Sequence, residues 1–141
     1  MRRRIVFCSL TAAVTLLVFG TIFHLGLPVV LPGIPPQFSN SGLYRPWAGW
    51  TSTYMLIHPL WFGVVFGGLY SILRSRDALA PGWRDGLAYG FGVFFVGSLP
   101  VFLLAFAAVQ ISPEVMAVWV AQSLCQYAAA GVAIGTTTGR N

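Results

Sequence analysis

From Ile5 to Leu27 no side chain carries a formal charge. A helix over that stretch would reach about 34 Å at a rise of about 1.5 Å per residue, enough to cross a hydrocarbon core about 30 Å thick. Three more uncharged runs follow, over about 47–73, 87–109 and 115–135. Few features constrain a fold as strongly, because backbone polar groups in lipid must be paired inside the protein and runs this long do so as helices. Composition agrees: 57% of the residues are hydrophobic and 8% are charged, against roughly a quarter charged in a soluble domain. The sequence therefore predicts an all-α membrane protein. It forms a single domain over 1–141, with four transmembrane helices in an antiparallel bundle and kinks in the second and third at Pro59 and Pro100. No length is left for a soluble domain.

The segments between the runs read as surface. Arg2, Arg3 and Arg4 precede the first run, and Pro28, Pro32, Pro35 and Pro36 are expected to end it. The plan resembles a signal peptide, yet no small-x-small cleavage pattern follows, so an uncleaved anchor is expected. PGIPPQFSNSGLYRP, residues 32–46, is too polar and too rich in proline to be helix in lipid. Loop 74–86, RSRDALAPGWRDG, carries a Pro-Gly turn and offers Asp85 as a helix N-cap. In QISPE, Ser112 can cap, Pro113 suits the first turn and Glu114 favours the positive end of the helix dipole. The third and fourth helices are thus expected to be antiparallel neighbours.

All of the net charge of +5 comes from arginines at the ends of apolar runs. Arg2, Arg3, Arg4, Arg74, Arg76, Arg84 and Arg140 fall on one side of the predicted threading and Arg45 alone on the other. The positive-inside rule then puts both termini in the cytoplasm of a cell-membrane protein. Arg45 and Glu114 become the charges of the outer face and are expected to lie together. Basic composition can also signal nucleic acid, but no basic face with stacking aromatics exists here, so that partner is excluded. The partner implied is the lipid bilayer.

Helices in lipid associate through close backbone approach at small residues. The second run carries Gly63, Gly67 and Ser71, the third opens with Gly86 and Gly90, and the fourth repeats Ala117, Ala121, Cys125 and Ala129 at four-residue spacing. These are the expected packing positions, within one bundle or toward a second copy or another membrane protein. Trp47, Trp50 and Tyr54 fit an outer aromatic belt, with Trp83 and Tyr70 toward the inner side. Cys8 and Cys125 read as small hydrophobes at helix contacts rather than a disulfide.

Few side chains could carry chemistry. Pro59 cannot donate to the carbonyl of Met55, so His58 sits beside a broken hydrogen-bond ladder and is expected to satisfy a freed carbonyl, or Gln122 or Ser123. Gln122 and Gln126 form the most polar stripe within a run. Buried amides in lipid ordinarily bond to a neighbouring helix, and lining a solute path is the sharper alternative. His24 and His58 could reach one depth as axial ligands of haem or a metal, but no spacing supports this, and neither a cofactor nor a metal is implied. No Asp, Glu, Lys or Arg lies within a run, which disfavours proton coupling, and no catalytic motif occurs.

SNSGLYRPW before the second run, the short basic loop and RDGLAYGFGVFF in the third resemble segments of a group of small four-span bacterial integral membrane proteins without assigned activity. The resemblance implies four spans and transfers no functional residue. The expected role is non-enzymatic, as a subunit or accessory factor acting through helix packing. An oligomeric channel or transporter lined by Gln122, Gln126 and His58 is the alternative, and a redox module on His24 and His58 a second one.

Overall fold

The structure, a computed structural model, describes residues 2–36 and 50–138, without the side chains of 50–52 and 54–56. Among these residues helix is the only regular structure. α1 spans Arg2–Val30, α2 Trp50–Ser75 and α4 Pro113–Thr138. α3 is a helical run of three parts, α-helical Trp83–Val93, a π-helical turn Phe94–Ser98 and α-helical Leu99–Ala108. α1, α3 and α4 are long and apolar enough to cross a membrane. α2, with 26 residues, matches α4 in length.

Local chemistry explains most of the boundaries, and two expectations need correction. α1 runs through Pro28 to Val30 instead of stopping at Leu27. A proline near a helix end costs only one ladder bond, and the last turn then closes as the Leu31 amide donates to the Leu27 carbonyl at 2.8 Å. Asp85 is not the N-cap of α3, because Gly82 holds that position with φ 136°, a conformation that favours glycine. Asp85 instead lies in the first turn and accepts from the Ala80 amide at 2.6 Å, which pins the loop to the helix it enters. The opening of α4 follows expectation. The Val115 amide donates to Ser112 Oγ at 3.3 Å, and Glu114 sits exposed in the first turn.

The two prolines expected to kink helices behave differently. α2 stays helical through Pro59. α3 leaves α geometry just before Pro100, where the Leu99 amide reaches back to Phe94 across the wide turn. In an α-helix the Pro100 ring would meet the Val96 carbonyl, and widening the turn relieves that collision.

Glycine sets how closely the helices approach. A methyl group built on Gly63 would strike the backbone of Ala13, and one on Gly67 the backbone of Cys8 and Ser9. α1 and α2 are tied further by Ser9 Oγ donating to the Val64 carbonyl at 3.1 Å, and Ser71 Oγ reaches the Arg4 carbonyl at 3.5 Å. From Gly63 through Gly67 to Ser71 of α2, the partners on α1 run back from Ala13 through Cys8 to Arg4. The same order holds for α3 and α4, where Gly82 meets Gly135, Gly86 meets Gly131 and Gly90 meets the Tyr127 carbonyl. α1 also packs on α4. Between the helices lies a core of Phe66, Tyr70, Tyr89, Phe94 and Tyr127, and Tyr70 is fully buried in it instead of joining an interfacial belt.

The outside is as apolar as the inside. α1 exposes Val6, Leu10, Val14, Val18, Ile22, Leu25 and Val29, and Leu99–Ala108 of α3 buries none of its residues. Water would penalise such a surface heavily, whereas lipid matches it.

Candidate functional site

Polar side chains converge at one place between the helices. Leu16 of α1, His58, Pro59 and Phe62 of α2, and Ser123, Gln126 and Tyr127 of α4 enclose a cavity of about 50 Å³. That volume holds a few waters. Each wall follows from local sequence. Gly20 carries no side chain on the α1 surface, and a methyl group there would lie 2.7 Å from Gln126 Nε2. Through that opening Gln126 Nε2 donates to the Leu16 carbonyl at 3.2 Å, so the amide ties α4 to α1. Phe62 stacks on Tyr127 with centroids 4.8 Å apart and planes 7° from parallel. His58 continues the stack, nearly parallel to Phe62 at 6.1 Å.

The expected residues divide into those this site gathers and those it does not. His58, Ser123 and Gln126 share the cavity wall, while Gln122 is half-buried and outside it. His58 lines the same cavity as Leu16. His24 lies eight positions further along α1 than Leu16, about 12 Å along the helix axis, and is not part of that cavity wall. Among the described residues no three His, Cys, Asp or Glu side chains are grouped as metal ligands.

Of the small-residue positions, Gly63, Gly67, Ser71, Gly86 and Gly90 are buried at the helix contacts described above. Ala117, Ala121 and Cys125 are exposed and Ala129 is half-buried. α4 packs inside this chain through Val115 and Met116 near its start and through Tyr127, Ala130, Gly131, Ile134 and Gly135 further along. Cys8 fills a helix contact as expected, whereas Cys125 is exposed among the described residues. Arg45 lies outside the described residues, and with it the expected pairing to Glu114, as do Trp47 and the side chains of Trp50 and Tyr54.

Sequence reasoning passed over the aromatic centre. Tyr89 donates to the Phe66 carbonyl at 2.6 Å, and Ser98 Oγ donates to the Tyr127 hydroxyl at 2.7 Å. Phe62, Phe66 and Tyr70 recur every fourth residue, which was the available signal. Gly20 gave no such signal, because its role depends on Gln126 more than a hundred residues away. Models of protein families, curated proteins and solved structures contain no match to this chain.

Proposed function

We propose that the chain crosses the membrane four times as an antiparallel bundle with both termini in the cytoplasm. In this reading it acts without catalysis, as a subunit or accessory protein that docks another transmembrane helix on the outer face of α3 and α4. The observation that carries the reading is the division of the small residues of α4 into a buried set and an exposed set. Gly131 and Gly135 are consumed by α3, while Ala117, Ala121 and Cys125 look outward. Beside them an apolar groove of about 230 Å³ runs between the two helices, lined by Phe102, Leu103, Phe106, Met116 and Val120. Because lipid tails compete equally for leucine, a surface that lets backbones approach closely is the one on which a helix can replace lipid.

The internal cavity does not compete with this reading. Gln126 is bonded to the Leu16 carbonyl, and the volume suits water beside His58 and Ser123.

Oxidative crosslinking through native Cys125 in isolated membranes tests the proposal. The expected product is a reducible adduct, at twice the chain mass if the docked helix belongs to a second copy. Cys8→Ser is expected to leave the adduct unchanged and Ala121→Leu to abolish it. A chain that forms no adduct and sizes as a monomer in mild detergent overturns the docking role.

A further inference from the structure

Among the described residues the bundle is sharply asymmetric in charge from end to end. Ser71 lies against Arg4, Tyr70 reaches Thr138 at 3.4 Å, and Gly82 meets Gly135. These contacts gather the start of α1, the end of α2, the start of α3 and the end of α4 at one level. Among the described residues all six arginines, Arg2, Arg3, Arg4, Arg74, Arg76 and Arg84, stand at that end, against Asp77 and Asp85. Asp85 is already engaged by the Ala80 amide. Glu114 lies at the far end of α4.

The cluster is also shaped. Arg74 Nη1 donates to the Leu79 carbonyl at 3.0 Å, which folds the α2–α3 loop back over the end of α2. Arg76 and Arg84 are left exposed. The Arg84 guanidinium sits 5.4 Å from the centre of the Trp83 ring, and that ring is itself half exposed. Trp beside Arg at the end of an apolar helix is the pairing expected at headgroup depth, with the ring among glycerol and acyl carbons and the guanidinium at phosphate level.

We propose that this end binds an anionic phospholipid headgroup, held by Arg76 and Arg84 of the α2–α3 loop together with Arg2 and Arg3 of α1. A soluble phosphate offers the same charge, but the apolar collar immediately beyond the arginines, including Trp83, favours a phosphate that arrives with acyl chains. The excess of arginine over acid favours a net anion over a zwitterion. The proposal rests on the membrane-embedded reading of the chain and goes beyond it by naming which lipid sits where.

The test is native mass spectrometry of the full chain, released from micelles holding phosphatidylglycerol and phosphatidylcholine in equal amounts with identical acyl chains. Wild type is expected to carry phosphatidylglycerol in preference. Arg76→Gln with Arg84→Gln is expected to reduce the preference by about fivefold per arginine removed, and high salt to weaken it in wild type. Equal retention of both lipids, or a preference the double substitution does not move, overturns the proposal. So does displacement of the lipid by an equal concentration of glycerol 3-phosphate, which would make the cluster a soluble-anion site. Failure of the underlying reading looks different: the chain would leave the membrane fraction on alkaline carbonate washing.

Discussion

Gly67 and Gly68 are neighbours in sequence and opposites in environment. A methyl group at 67 would meet the carbonyl carbon and oxygen of Cys8 and the amide nitrogen of Ser9, while one at 68 meets nothing within 4 Å. Backbone atoms cannot rotate away, so Gly67→Ala must push α1 from α2, at a cost of roughly 1–3 kcal/mol. Gly68→Ala relieves only the entropic handicap of glycine in a helix and is expected to stabilise by about 0.5–1 kcal/mol. Unfolding in mixed detergent, followed by circular dichroism, checks both; equal effects would show that α1 and α2 are not held at Gly67. Gly63, Gly67, Gly86 and Gly90 were legible in the sequence because four-residue spacing is itself the packing rule. The α4 stripe at Ala117, Ala121 and Cys125 obeys the same rule and yet faces outward. Spacing identifies a face capable of close approach and carries no information about which helix makes it. That choice is made by the opposing backbone, as where Gly131 fits Gly86.

At the level of the element, α3 joins two halves of opposite character. Trp83–Val93 packs through Gly86, Tyr89 and Gly90, while Leu99–Ala108 has no fully buried residue and touches the core through Leu99 and Phe102, and the π turn lies between them. A break near Pro100 was readable from the missing amide alone. Its form was not, because a wide turn and a bend both relieve the same collision. What the wide turn accomplishes is a contact: it ends on Ser98, whose hydroxyl donates to Tyr127. Pro100→Ala restores the amide that can bond the Val96 carbonyl, so the turn should tighten to α and rotate Ser98 away from Tyr127. A double-mutant cycle of Ser98→Ala and Tyr127→Phe is then expected to show a coupling of roughly 0.6 kcal/mol in the parent and none in the Pro100→Ala background. A coupling that survives the substitution would mean that the π turn has a cause other than Pro100.

For the whole molecule, the number of crossings decides which surfaces meet water. Contacts fix the relative order of the helix ends: Arg4 stands with Ser71, Tyr70 with Thr138 and Gly82 with Gly135. Residue 77 therefore shares an end with Arg2, Arg3 and Arg4, while Gly33 and Gln110 lie just beyond the opposite ends of α1 and α3. If the bundle crosses as proposed, with arginines held back on the cytoplasmic side, single cysteines should sort into two classes in a Cys8→Ser, Cys125→Ser background. Gly33→Cys and Gln110→Cys should react with a membrane-impermeant maleimide added to intact cells, and Asp77→Cys only after permeabilisation. An α2 lying on the surface instead of crossing would put residue 77 on the same side as residue 33, and the two would label alike. The arginines supply a second arm. Arg74→Glu, Arg76→Glu and Arg84→Glu together weaken the retention signal of the α2–α3 loop while leaving Arg2–Arg4 in place, so orientation should become mixed and Asp77→Cys partly accessible in intact cells. Unchanged labelling would place the orienting signal wholly in the start of α1, with α2–α4 threading passively behind it.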